Sequence, residues 1–233
     1  MAQTRACGGP SPVGYGCGMD RLNLSKIAMH RRNALQTLIA GAFATGAVTL
    51  LAGCKPTPIK FEGVDITGAE YGKDFPLPDA KGQRRSVKDF AGQVVVVFFG
   101  YTQCPDVCPT TLQELVEAKA LLGAQGERLQ GVFVSLDPDR DTPEVLRAYA
   151  EAFDPRMVAL TGSKDDIAAV AKDFKVFFKK VEGRQPGSYT LDHSAGLYLY
   201  DPQGRLRVYH RYGQGAQALA KDAKALLDET AAA

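Results

Sequence analysis

The sequence predicts an α/β fold in which a central mixed sheet, mostly parallel, is flanked by helices. Three observations predict it. Val94 to Gly100, VVVVFFG, is an unbroken apolar run rich in β-branched and aromatic residues, the pattern of a strand buried on both faces. From there on, strand-type segments alternate with segments that carry a helical apolar stripe, which implies parallel strands joined by helical crossovers. Near the end, two strand-type runs flank a tight turn at Pro202-Gln203-Gly204, so an antiparallel hairpin joins the sheet. The chain has 233 residues, 45% hydrophobic and 23% charged, which is long enough for a well-buried core and ordinary for a globular domain.

The elements follow in chain order. Asp74 to Phe90 reads as a short N-terminal β-hairpin extension, with Lys81-Gly82 at its turn and Ser86 capping a turn through Phe90. The strand Val94–Gly100 comes next. After it, Leu112, Leu115 and Leu122 mark a helix. Leu129 to Leu136 is a second strand. Thr142 is placed to cap a helix whose first residue is Pro143. Met157 to Gly162 holds a short strand, and Ser163 caps a helix through Phe174. Lys175 to Val181 reads as a strand, Ala195 to Tyr212 as the late hairpin, and Ala216 to Asp228 as a closing helix. A strand leading into a dithiol at a helix start, with a hairpin and a helix to finish, resembles the thioredoxin fold.

The N-terminal part reads as an address. A basic start at His30, Arg31 and Arg32 precedes an uncharged run from Ala34 to Gly53, then Cys54. That is the layout of an export signal. The run is long enough for a bilayer span, but Gly41, Thr45, Gly46 and Thr49 dilute it, and Leu51-Ala52-Gly53-Cys54 resembles the bacterial lipobox. Residues 29–53 are therefore expected to be a lipoprotein signal peptide, with Cys54 lipidated. Residues 54–70, rich in Pro and Gly, are expected to tether the domain 71–230 to the membrane. Arg31-Arg32 also resembles a twin-arginine signal, so export by the general or the twin-arginine route is expected. Residues 1–28, with Cys7 and Cys17, fit neither signal nor domain; Met29 is the expected start. The place of action is then the bacterial cell envelope, facing the periplasm. Residues 1–53 hold five Lys/Arg and one acid; the remainder has 23 basic and 25 acidic residues, a net of −2, and no basic patch argues for nucleic acid.

Two cysteines remain for chemistry, Cys104 and Cys108 in GYTQCPDVCPTTLQEL. Placed at a helix start and four apart, they share one face. That geometry suits two thiolates on one metal ion, and allows a disulfide after local adjustment. The helix N-terminus is expected to favour the thiolate. Pro105 and Pro109 are tolerated because first-turn N–H groups lack intrahelical partners. An inert staple is the bland reading, but so short a loop removes little unfolded-state entropy. Thioredoxin-type redox motifs carry two residues between the thiols; here there are three.

The third residue is His193, in the loop-like TLDHSAG. In a thioredoxin-like order that loop returns beside the dithiol, whereas His210 reads as an ordinary strand residue. Two thiolates and an imidazole form a soft three-ligand set that suits copper. Zinc is the rival, though structural zinc takes four protein ligands.

GYTQCPDVCPTTLQEL, VSLDPDRDTPEVL and LDHSAGLYLYDPQGRL together resemble the Sco/SenC family, over Tyr71 to Leu227. The resemblance implies a thioredoxin-like fold and one copper ion, Cu(I) or Cu(II), on Cys104, Cys108 and His193. It implies a metallochaperone, with loading gated by the redox state of the dithiol, for the binuclear copper site of cytochrome c oxidase subunit II or a similar cuproprotein. A periplasmic copper donor and a thiol reductant would be its other partners. The alternative is a thiol–disulfide oxidoreductase acting on cuproprotein cysteines, with Cys104 and Cys108 as the redox pair; a peroxide-reducing relative is a third. The stretch DPDRDTPE, Asp137 to Glu144, reads either as a polar turn and helix cap or as an acidic docking surface.

Overall fold

The structure is a computed structural model that describes residues 59–231. The expected signal segment, Met29, Cys7, Cys17 and the lipidation candidate Cys54 lie outside those residues. Among the described residues no helix is long and apolar enough to cross a membrane.

In chain order the strands are β1 (Val64–Asp65), β2 (Leu77–Pro78), β3 (Arg84–Arg85), β4 (Val94–Gly100), β5 (Leu129–Ser135), β6 (Val158–Leu160), β7 (Phe178–Glu182), β8 (Tyr189–His193), β9 (Leu197–Tyr200) and β10 (Leu206–His210). The helices are α1 (Val107–Leu121), α2 (Pro143–Phe153), α3 (Lys164–Asp173) and α4 (Gly215–Ala231). Six strands form the main sheet in the order β1-β10-β9-β4-β5-β6. β4, β5 and β6 run parallel, while β9, β10 and β1 complete the sheet antiparallel. This is the mixed α/β, thioredoxin-like architecture that the element order predicts, but the sheet is not mostly parallel: three of its five pairings are antiparallel, because the late hairpin joins β4 and β1 adds to its outer edge. β2 and β3 pair as the N-terminal hairpin.

β4 is the spine. All seven of its residues are buried. Val95, Val97 and Phe99 face a core layer shared with Phe75, Leu77, Ile167, Val170 and Phe174. Val94, Val96 and Phe98 face the opposite layer, built with Leu112 and Leu115 of α1, Leu146 of α2 and Leu226 of α4. Successive side chains alternate between these two apolar layers, so both sets of positions are apolar and the run in the sequence is unbroken. The helix starts follow the capping signals. Thr142 Oγ1 accepts from the Val145 N–H with Pro143 at the first helical position, and Ser163 forms a capping box with Asp166. Ser86 caps the 3-10 turn Val87–Phe90.

Three expectations change. The tether drawn to residue 70 is bound from residue 62 onward. The Glu62 and Gly63 N–H groups donate to the Asp222 carboxylate at 2.8 and 2.9 Å, and β1 pairs with the outer edge of β10. An open sheet edge offers unpaired backbone groups that a passing segment can satisfy, and a two-residue strand is too short to show a period. The strand expected from Lys175 begins at Phe178. Lys175 instead takes a left-handed φ of 57°, and the Val176 N–H donates back to the Ala171 carbonyl, which ends α3. Finally, His193 is not in a loop but closes β8, which pairs with β7 in a separate two-stranded sheet.

Candidate metal centre

The dithiol stands where β4 hands over to α1. The Cys104 N–H donates to the Tyr101 carbonyl at 3.2 Å, so Cys104 closes a turn ahead of the helix. α1 begins at Val107 after Asp106, and Cys108 is its second residue. The shared helical face expected for the two cysteines is therefore not formed: only Cys108 is helical. Its N–H, one of the orphan donors of the first turn, points at Cys104 Sγ, 3.4 Å away. Both cysteines are free thiols. Cys108 is wholly buried within the apolar layer under α1, whereas Cys104 is partly exposed.

Gly100 makes this possible, and sequence reasoning passed over it. A Cβ at Gly100 would lie 2.6 Å from Cys108 Sγ and 2.9 Å from the Phe133 ring. The signal was present: a glycine ending a strand of large residues marks a close approach.

His193 arrives from β8. Its Nδ1 hydrogen-bonds the Ser194 carbonyl at 2.9 Å. A carbonyl only accepts, so Nδ1 carries the proton and Nε2 is left with its lone pair. Nε2 lies 3.7 Å from Cys108 Sγ. The imidazole meets Phe98 and Tyr101 edge to face, with centroids 6.2 and 5.9 Å apart. The two sulfurs and the imidazole nitrogen lie within 4.8 Å of one another. They sit against an open cleft of about 320 Å³ lined by Tyr101, Cys104, Pro105 and His193 among others. Two soft sulfurs and a lone-pair nitrogen, converging on one point at the rim of a cleft, fit a thiophilic ion. Among the described residues no other cluster of three such ligands is present.

The electrostatics differ from the sequence expectation. Burial pushes the Cys108 thiol far above its ordinary value, and the nearby Cys104 adds to the rise; a hydrogen bond from the Tyr101 backbone opposes it without prevailing. The helix N-terminus does not win against desolvation here. Burial also lowers His193, which keeps the imidazole neutral and able to donate its lone pair.

The stretch 137–144 serves the site from beneath. Asp137 and Asp141 are 4% and 1% exposed, so of the four acids in the stretch only Asp139 and Glu144 face solvent. Asp141 accepts from the Thr102 N–H at 3.1 Å, Thr102 Oγ1 at 2.6 Å and Ser135 Oγ at 2.6 Å, which fastens the turn before Cys104 to the end of β5. Asp137 accepts from the Tyr189 hydroxyl at 2.8 Å and from Arg140. Sequence reasoning named this stretch a turn and cap, which it also is, but the partners lie 39 and 52 residues away and leave no local trace.

Fold and site together define a thioredoxin-like protein whose dithiol is joined by an imidazole into a three-donor metal centre. The chain belongs to the SCO1/SenC family, whose model matches residues 64–228. It is 36% identical over 148 residues to the mitochondrial SCO2 homolog of Mus musculus, covering 63% of this chain and 58% of that protein, so it spans less than two thirds of the relative's own length. Its fold matches that of copper-bound ScoI from Bradyrhizobium japonicum with a TM-score of 0.59 and 37% identity, over 66% of this chain and 97% of that one. It also matches BsSco, described as a member of the Sco family of cytochrome c oxidase assembly proteins, with a TM-score of 0.54. At 24% identity over 72% of this chain and 98% of that one, this last likeness concerns the fold.

Proposed function

We propose that this protein carries one copper ion, as cargo, on Cys104, Cys108 and His193, and delivers it during assembly of cytochrome c oxidase, to the binuclear copper site of subunit II or to a similar cuproprotein. The observation that carries this reading is the His193 tautomer: Nδ1 is tied to a carbonyl and Nε2 faces the thiols. Orienting an imidazole in this way is what metal-binding histidines require. The copper bound by the Bradyrhizobium relative supports the same reading.

Each ligand has a distinct part. Cys108, buried and fixed by α1, is the anchor. Cys104, partly exposed at the cleft, is the sulfur that first meets the incoming ion and last leaves it. Capture displaces both thiol protons, so uptake releases protons and weakens as pH falls. Only the reduced pair can supply thiolates to the metal; a Cys104–Cys108 disulfide would block loading, and a thiol reductant would reopen it. A periplasmic copper donor would fill the site. Residues 29–53 would direct export and Cys54 would carry the lipid, holding the domain at the periplasmic side of the envelope. The Leu51-Ala52-Gly53-Cys54 motif supports this, and mass spectrometry of the native N-terminus tests it.

The second reading, a thiol–disulfide oxidoreductase for cuproprotein cysteines, draws on the partly exposed Cys104 as an attacking sulfur. His193 separates the two. In cells limited for copper, His193→Ala should assemble the oxidase poorly and be partly rescued by added copper. Normal assembly in those cells, with assembly lost in Cys104→Ala cells, would replace delivery with reduction.

A further inference from the structure

The strand that carries His193 is not held by the main sheet. β7 and β8 hydrogen-bond to each other and form their own two-stranded sheet. Leu191 does enter the core, but apolar burial is non-directional and does not fix the strand about its own axis. The Tyr101 hydroxyl is hydrogen-bonded to the Leu191 backbone, and most of the remaining directional contacts converge on one side chain. Arg140 Nη1 donates to the Tyr189 carbonyl at 3.0 Å and to Gln103 Oε1 at 3.1 Å, and its Nε donates to Asp137. Its guanidinium lies 3.5 Å from the centre of the Tyr189 ring and 5.7 Å from that of Tyr101. The Tyr189 hydroxyl donates in turn to Asp137. Arg140 therefore touches the residue before Cys104, the first residue of the His193 strand, and the ring that His193 meets edge to face. The side chain is 19% exposed, and its bonds to Tyr189 and Asp137 are part-buried, while that to Gln103 is exposed.

We propose that Arg140 is a positioning residue: it straps the β7–β8 hairpin to the cysteine turn and so holds His193 Nε2 in reach of the dithiol. The inference rests on the copper reading above. The dithiol does not need the strap. The Asp141 bonds to Thr102 and the space at Gly100 hold the cysteines independently of Arg140. Loss of Arg140 therefore turns a three-donor site into a two-thiolate one. Cu(I) is content with two thiolates, while Cu(II) prefers more donors and loses most. A lysine does not replace the strap, because one ammonium cannot fork between Tyr189, Gln103 and Asp137 while stacking on a ring.

The test has two arms on the full chain. In the metal-free reduced protein, hydrogen exchange is followed by amide in wild type, Arg140→Ala, Arg140→Lys and Tyr189→Phe. Exchange is expected to rise in Thr190 to His193 while β4 and β5 stay as in wild type. In the second arm, Cu(II) and Cu(I) are titrated by competition. Cu(II) affinity is expected to fall about 10- to 100-fold, the usual cost of losing an outer-shell partner, with a changed thiolate–Cu(II) absorption band. Cu(I) affinity is expected to stay within about threefold, since both thiolates remain. Tyr189→Phe, which loses only the hydroxyl bond to Asp137, is expected to lie between wild type and Arg140→Ala. Arg140→Lys keeps the ion pair with Asp137 and keeps the test decisive should Arg140→Ala fail to fold. Unchanged hairpin exchange in Arg140→Lys overturns the proposal, as does an equal fall in affinity for both oxidation states. A wild-type protein that takes up no copper in either state overturns the copper reading, and the exchange arm still decides whether Arg140 holds the hairpin.

Discussion

Two histidines end two strands of this protein and have opposite fates. His193 closes β8 at the cleft; His210 closes β10, two strands away from β4 in the main sheet. His210 is 1% exposed, and its Nε2 donates to Asp222 at 2.8 Å. That carboxylate also receives the Glu62 and Gly63 N–H groups, so His210 belongs to a buried latch that fastens the entering chain to α4 and β10. His193 has a neutral carbonyl on one nitrogen and a thiol beside the other. A histidine is made available by the partner on its other nitrogen. A carboxylate partner in a sealed site spends the ring on structure. A carbonyl partner orients the ring and leaves a lone pair facing an open cleft.

Each site even has its own glycine. Gly100 clears space for Cys108 Sγ, and a Cβ at Gly63 would lie 2.6 Å from Val208 Cγ1 and 2.9 Å from the His210 ring.

Substitutions at the two histidines' surroundings test this contrast. The largest effect is expected from Asp222→Ala. It strands a buried histidine and two N–H groups, and should cost about 3–5 kcal/mol of stability without changing copper stoichiometry. His193→Ala should do the reverse, staying within about 1 kcal/mol of wild type while Cu(II) binding weakens. Chemical denaturation and metal titration of both variants check the pair; a destabilised His193→Ala with intact Cu(II) binding would erase the distinction.

Next come the glycines. Gly100→Ala and Gly63→Ala should each cost about 1–3 kcal/mol through overpacking. Only Gly100→Ala should alter the rate at which Cys108 is alkylated, because only there does the added methyl press on a thiol.

A smaller effect separates the two thiols. Cys104 should react with a neutral alkylating reagent about tenfold or more faster than Cys108, since Cys108 is buried and stays protonated at neutral pH. Peptide mapping after brief labelling gives the ratio, and equal labelling would contradict the anchor role given to Cys108.

The smallest effect is a pH dependence at the latch. Burial alone would raise Asp222, but its bonds from His210 and the Glu62 and Gly63 N–H groups outweigh it and hold the carboxyl below its ordinary value of 3.8. A depressed folded value means that the contribution is fully present above the unfolded value and is lost as pH falls through the folded one. Wild type should therefore lose stability below about pH 4 in a step that Asp222→Asn lacks. Unfolding midpoints between neutral pH and pH 2.5 read it out.

Much of the molecule was legible in the sequence because its signals are local. The spine β4 matches the apolar run residue for residue, since both of its faces pack into apolar layers. The capped starts of α2 and α3 follow from Thr142-Pro143 and from Ser163 with Asp166, which satisfy backbone donors within three residues. Cys104, Cys108 and His193 stand out by residue type and motif. What the tertiary structure decided depends on contacts far apart in the chain. It separated His193 from His210, because burial and partners are properties of a neighbourhood and not of a residue. It set the Cys108 thiol high, because desolvation in a packed layer exceeds the pull of a helix end. It turned Asp137, Arg140 and Asp141 inward from a stretch that reads as solvent-facing. It also took residues 62–65 out of the tether and made them an edge strand, since the donors and acceptors that capture them lie on β10 and α4, more than 140 residues later.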